Sequence, residues 1–268
     1  VRQNITALLV PRSKLDVGEL IGKGNFGAVY KAQYQRSPDE KQVQVAVKTL
    51  QCKGNDSETI QTFLQDTVVL KDLQHPNILP LVGVCVTVSD DPLIIMPFMA
   101  TEDLKSYIRE PSKNLTVLEL LDFASQIVKG MVYLEDVKVI HRNLAARNCI
   151  VSEDKKIQLT DCGITKTLFN KDYYTSTDSV GKSLMKWLAP ETIENFVFSH
   201  KSDVWAYGVV LWELLTRGVT PYPDVDSNDL VQYLDDGKRM KKPKQCTQPI
   251  YDIMLKCWSQ APNERPTF

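Results

Sequence analysis

The stretch Gly22-Lys23-Gly24-Asn25-Phe26-Gly27-Ala28-Val29 decides how the chain begins to fold. It fits G-x-G-x-x-G-x-V, a spacing that also occurs where a strand turns into the helix of a dinucleotide-binding unit. The flanks separate the two readings. Residues 15–21 before the glycines and Ala28-Val29-Tyr30-Lys31-Ala32 after them alternate apolar and polar, which is strand patterning on both sides. The glycines therefore belong at an antiparallel hairpin, where the missing Cβ lets the backbone lie close over an anion, with Phe26 at the tip. On these residues alone an ordinary glycine-rich hairpin remains an equal alternative.

Working outward, Val45-Ala46-Val47-Lys48 falls in the next strand-like run, 43–50. Strand alternation puts Ala46 and Lys48 on one face and Val45 and Val47 on the other. An inward lysine beneath a glycine loop needs an anionic partner such as a nucleotide phosphate. A lone lysine in an exposed strand is the alternative. The pattern predicts a helix over 56–73, with Ile60, Phe63, Leu64, Thr67 and Leu70 near one face, stopped by His75-Pro76-Asn77. Strands over 79–87 and 92–97 follow. Beyond 102 the chain turns mostly helical. Thr116-Val117-Leu118-Glu119 is a capping box opening a helix whose apolar face is Leu120, Ala124, Ile127, Val128, Met131 and Leu134. Residues 202–216 are apolar on nearly every side, which predicts a buried helix ended by Gly218 and Pro221. Shorter helices are expected over 228–235 and 248–258. The fold class is α+β: a small strand-rich part, a connector near 97–102 and a larger helical part, with no internal repeat.

The 268 residues are 43% apolar and 24% charged, a globular profile. A net charge of -1 provides no basic field for nucleic acid. No run of 18 apolar residues offers a membrane span, and residues 1–10 lack the features of a signal peptide. The six cysteines show no C-x-x-C spacing and only three histidines accompany them, so a zinc site is not expected. Four of the cysteines sit in apolar surroundings and read as reduced thiols. Sequons at Asn4, Asn55 and Asn114 are the one feature that favours a secreted chain, and such triplets are frequent by chance.

His141-Arg142-Asn143-Leu144-Ala145-Ala146-Arg147-Asn148, then Asp161-Cys162-Gly163, then Ala189-Pro190-Glu191 resemble in order and spacing the signature set of protein kinases. The resemblance runs from about Leu15 to Phe268. Ala145-Ala146-Arg147 and Lys186-Trp187-Leu188-Ala189-Pro190-Glu191 resemble tyrosine kinases. Asp172-Tyr173-Tyr174, the run from Gly208 to Gly218 and Pro221-Tyr222-Pro223-Asp224-Val225 look most like the hepatocyte-growth-factor receptor group.

The resemblance implies the two-lobed kinase fold, with an antiparallel N-lobe sheet plus one helix over 15–99 and a mainly helical C-lobe over 100–268 whose end looks truncated. Residues 1–14 would be a juxtamembrane-like segment. ATP would contact Ile21, Gly22, Gly24, Phe26, Gly27, Val29, Ala46 and Lys48, with Met96 behind the adenine and Pro97-Phe98-Met99 as the hinge. Asn148 and Asp161 would hold Mg2+ through hard oxygen ligands. Arg147 would place the substrate tyrosine of a protein partner, and Glu191 would pair with Arg265. Arg142 would meet phosphate on Tyr173 or Tyr174; an ordinary surface loop is the alternative for those tyrosines. A kinase-domain dimer and a cytoplasmic setting, inside a single-pass receptor, belong to the same expectation.

Three positions depart from the family pattern. Asn143 stands where the catalytic aspartate belongs, and an amide cannot take the proton of a substrate hydroxyl. Asp66 stands for the glutamate that pairs with Lys48 and is one methylene shorter. Cys162 replaces a phenylalanine beside Asp161 and fills less space. The chain is thus expected to be an enzyme by family with strongly reduced activity. An ATP-binding pseudokinase that acts as a signalling scaffold is the alternative, and a dinucleotide oxidoreductase a distant third that needs a helix after Gly27.

Overall fold

The computed structural model describes residues 6, 8–24, 27–49, 64, 67, 68, 70–87, 92–98, 102–162 and 184–268. The chain divides into two compact units, and the described residues up to Phe98 form the first. Its sheet has the order β1 (Leu15–Gly24), β2 (Gly27–Tyr34), β3 (Val43–Thr49), β5 (Leu93–Pro97), β4 (Gly83–Cys85), antiparallel throughout. Alternation governs which side chains are buried. Val45 and Val47 join Val10, Leu15, Ala32, Cys85 and Ile95 in one apolar cluster. Leu8 and Val10 hydrogen-bond to Val84 along the edge of β4. Gly83 is required there, because a Cβ would lie 2.7 Å from Val10 Cγ2. The strand expected over 79–87 is cut to three residues, since Pro80 has no N–H for a ladder. Of the helix expected over 56–73, residues 64, 67, 68, 70 and 71 are helical. Residues 72 and 73 are described and not helical, so the helix ends earlier than expected, and its remaining positions, Asp66 included, lie outside the described residues.

The second unit begins, among the described residues, at Glu102. It carries a small sheet of β6 (Glu102–Asp103), β7 (Cys149–Val151) and β8 (Ile157–Leu159), and helices α1 (Leu104–Arg109), α2 (Val117–Asp136), α3 (Pro190–Asn195), α4 (His200–Leu215), α5 (Leu230–Asp235) and α6 (Gln248–Cys257). The capping box is present at α2: Thr116 Oγ1 accepts from Glu119 N at 3.2 Å, and Glu119 Oε2 accepts from Thr116 N at 2.7 Å. The buried face of α2 adds Phe123 and Gly130 to the expected set and leaves Val128 half-buried.

Helix α4 starts two residues before the expected 202, because Ser199 and Ser202 form a second capping box. It is buried nearly all round. Its C-terminus closes with Gly218 N donating to Glu213 O at 2.8 Å and Arg217 N donating to Leu214 O at 3.1 Å. That is a Schellman closure in which Arg217, at φ 59°, takes the left-handed position usually given to glycine. Helices α1 and α3 and the small sheet are not among the expected elements; each element is shorter than two helical turns or four strand residues. Among the described residues no helix is long and apolar enough to cross a membrane. The five described cysteines are all buried and free.

Candidate active site

In the first unit the register sorts the residues expected to contact a nucleotide. Val29 is paired with Lys48, and Ala46 with Met96, so these four share the face opposite the Val45–Val47 core. Gly22 is paired with Val29, and Gly24 with Gly27. The segment after Gly27 is a strand, which removes the helix that the dinucleotide alternative needs. Ile21 in β1 is exposed. Pro97 ends β5, and the Lys31 ammonium lies 5.1 Å from the Phe98 ring centroid. Phe26 and Met99 lie outside the described residues, as do Tyr173 and Tyr174.

In the second unit the segment 141–148 is held by two acids from α4. An acid in a helix buried on all sides must find donors, and both do. Asp203 takes one backbone N–H on each oxygen: His141 N to Oδ2 at 2.8 Å and Arg142 N to Oδ1 at 2.9 Å. Burial pushes the Asp203 pKa up to about 7, against the pull of those two donors. Arg142 takes a left-handed φ of 70°, which a non-glycine residue holds only under constraint. The two bonds to Asp203 provide it. His141 is fully buried; that burial lowers its pKa to about 4, so the ring is neutral and its Nδ1 can accept from Asn143 N at 3.3 Å.

Glu213, the second acid, accepts on Oε2 from Ala146 N at 3.0 Å and from Trp187 Nε1 at 2.9 Å. Burial raises its pKa. The Trp187 ring in turn carries the Arg147 guanidinium at 4.2 Å and the Lys105 ammonium at 5.9 Å. Arg147 Nη2 donates to Asn143 Oδ1 over a long 3.4 Å. A guanidinium has donors only, so the amide oxygen of Asn143 must face it. The enclosed Nδ2 has no hydrogen-bond partner among the described residues.

Asn148 Nδ2 donates to the Asn143 carbonyl at 2.6 Å. Its amide is thereby oriented, with Oδ1 the atom left for a ligand. The Asn148 carbonyl accepts from Thr160 N at 2.9 Å, which ties Asn148 to the residue before Asp161. Asp161 is itself left-handed, at φ 60°, and Cys162 behind it is buried. Asn143, Arg147, Asn148 and Asp161 are thus gathered in one unit, Lys48 and its strand neighbours in the other.

Nearby, Glu191 and Arg265 meet through two parallel bonds, Nη1–Oε1 at 2.6 Å and Nη2–Oε2 at 2.8 Å, with Arg265 only 2% exposed. Asp203, Glu213 and Trp187 were not among the expected site residues. Their signal was nevertheless present in the sequence: two carboxylates in a helix otherwise apolar all round, each demanding a buried partner. A family model described as "Protein tyrosine and serine/threonine kinase" matches residues 15–268.

Proposed function

The chain belongs to the protein tyrosine and serine/threonine kinase family, and from that premise we propose that it is a tyrosine kinase domain in which Asn143 has weakened phosphoryl transfer. The family fold is the two-lobed one, an antiparallel N-lobe sheet and a helical C-lobe, and the family uses ATP and Mg2+ to phosphorylate protein.

The residues present fit those two groups. Val29, Ala46, Lys48 and Met96 form a sheet face turned away from the core, suited to a nucleotide, with Lys48 to neutralise phosphate. Asn148 offers an oriented amide oxygen and Asp161 a carboxylate, the hard oxygen ligands that magnesium takes. Bound there, the metal would neutralise charge on the phosphates. The adenine would be held at residues 96–99, and the glycine hairpin would cover the phosphates.

Placement of Arg147 between Asn143 and Trp187 is the observation that carries the reading. It sets the arginine of the tyrosine-kinase-like run Ala145-Ala146-Arg147 beside the residue that would meet the substrate hydroxyl. It also turns the amide oxygen of Asn143 toward Arg147. The other polar atom of the amide, Nδ2, is an enclosed donor, where a carboxylate would offer a second acceptor for the proton. Loss of a positioned base lowers rates by about 10²–10⁴, while positioning and charge stabilisation persist. Arg142, close to the Phe198 ring at 5.4 Å, remains the proposed partner for phosphate on Tyr173 or Tyr174. The receptor setting, most like the hepatocyte-growth-factor receptor group, the cytoplasmic location and a domain dimer belong to the same proposal.

The test is Asn143→Asp, assayed on tyrosine and serine peptides side by side. Transfer to tyrosine should rise by on the order of 10²-fold or more, with serine far behind. Saturating Mg-ATP, at about 100 times its Kd, should stabilise both forms by about 2.7 kcal/mol. The second reading, an ATP-binding scaffold without catalysis, is favoured by Asn143 together with Cys162. It is the outcome if the Asp form stays inactive while the Mg-ATP shift remains.

A further inference from the structure

A groove of about 440 Å³ opens in the second unit where α1 ends and residues 110–115 lead toward α2. That volume lies within the roughly 300–1,000 Å³ typical of ligand sites. Ile108, Leu115 and Pro111 give it an apolar floor, the first two being buried. Two arginines line it, Arg109 and Arg217. Neither has a carboxylate partner among the described residues. Glu110 also lines the groove, and its carboxylate accepts from Ser112 N at 3.3 Å.

Both arginines are held in place by the turn that closes α4. Arg217 occupies the left-handed position of that turn, and its Nη2 donates to the Leu115 carbonyl, which leaves the rest of the fork for a ligand. The methylene stem of Arg109 lies against Gly218: a Cβ there would be 2.5 Å from Arg109 Cγ. Gly218, at φ +76°, thus serves the turn and makes room for Arg109 at once. Two cations without acidic partners, fixed by one turn over an apolar floor, are complementary to an anion carried on a flat apolar stem. A guanidinium fork matches phosphate through paired hydrogen bonds. A phosphorylated phenol ring supplies both the dianion and the stem that would cover Ile108, Pro111 and Leu115.

We propose that the groove between Arg109 and Arg217 is a docking site for a phosphotyrosine side chain of a protein partner. The site shares no residue with the segment 141–148, so it stands whatever Asn143 does to catalysis. Where the tyrosine-kinase reading holds as well, the reaction product is of the class that this groove retains.

The experiment is fluorescence anisotropy with the whole chain and a labelled peptide bearing one phosphotyrosine and no other acid. Twins carrying tyrosine or phosphoserine are the controls. The phosphotyrosine peptide should bind on the order of tenfold tighter than either twin, a difference of about 1.4 kcal/mol. Arg109→Ala and Arg217→Gln should each remove most of that advantage. Arg109 is exposed, so its variant should keep the melting temperature and the Mg-ATP shift of the parent. Equal binding of the phosphotyrosine and tyrosine peptides overturns the proposal. So does phosphotyrosine binding unchanged in both variants, which would put the anion elsewhere, and so does equal binding of phosphoserine. Activity of the Asn143→Asp form on a short tyrosine peptide is read separately, so failure of the catalytic reading and failure of the docking site are distinguishable.

Discussion

Strand β3 and the segment 141–148 both carry polar side chains of the proposed site, and they are positioned by opposite means. In β3 residues 45–48 are paired on both sides by adjacent strands, and simple alternation decides that Val45 and Val47 go inward while Ala46 and Lys48 go outward. The segment 141–148 has no such ladder. Its backbone N–H groups at His141, Arg142 and Ala146 are taken by carboxylates of α4, more than sixty residues further along the chain. A residue in a sheet inherits its direction from its neighbours, whereas one in an irregular segment depends on particular distant side chains. Damage should therefore be graded in the first region and abrupt in the second.

The largest expected effect breaks the second arrangement. Asp203→Ala strands two buried N–H donors at about 1–3 kcal/mol each, so the loss should be about 2–6 kcal/mol. That is a large part of the roughly 5–15 kcal/mol of a typical domain. It also releases the left-handed Arg142. Asp203→Asn keeps one acceptor oxygen and should fall between the two. Urea unfolding of the three proteins measures this order. A loss for Asp203→Ala below about 1 kcal/mol would show that the segment does not depend on the helix.

A smaller pair of effects sharpens the strand side. Val47 is fully buried, and Val47→Ala should cost about 2 kcal/mol while leaving Mg-ATP binding in place. Lys48→Met, one residue on and facing the other way, should cost under about 1 kcal/mol and abolish transfer by the Asn143→Asp form. If the two variants exchanged these properties, the register that puts Lys48 beside Val29 would be wrong.

The same contrast explains what could be read from the sequence. The hairpin at Gly24 and Gly27, the alternation in β3 and the Thr116–Glu119 box are local signals, two or three residues apart, and the structure carries each of them. Glu191 with Arg265 was legible only through family resemblance, since 74 positions separate them. Helices α1 and α3, six residues each, were not among the expected elements, although α5 of the same length was. Arg217 was missed as the left-handed cap because glycine is the usual occupant, and Gly218 stands next to it. Asp203 and Glu213 were hidden in a helix read only for its apolar character, although burial makes each charge a question that needs an answer.

The smallest effect on the parent protein concerns pH, and it arises from two groups that oppose each other, His141 in the segment and Asp203 in the helix that holds it. Asp203 has its pKa raised by burial to about 7. Between pH about 4 and 7 the folded chain keeps a proton on Asp203 that the unfolded chain has lost, so this group makes stability fall as pH rises through that window. His141 has its pKa lowered by burial to about 4. Between about 4 and 6.5 the unfolded chain binds a proton that the folded chain does not, so this group makes stability rise with pH. Each changes stability by up to about 1.4 kcal/mol per pH unit, in opposite directions over nearly the same range. Their sum should be close to flat from pH about 4 to 6.5, with a slight decline between 6.5 and 7 that belongs to Asp203. Single replacements uncover the hidden slopes. In His141→Asn, whose amide oxygen can still accept from Asn143 N, stability should fall relative to the parent as pH rises from 4 to 6.5. In Asp203→Asn it should rise relative to the parent over the same interval. Urea unfolding at half-unit steps measures both differences, and taking each against the parent cancels the other titrating groups. If the two difference curves slope the same way, then the protonation states assigned to His141 and Asp203 are wrong, and the segment 141–148 is held by some balance other than a neutral imidazole beside a carboxyl reluctant to ionise.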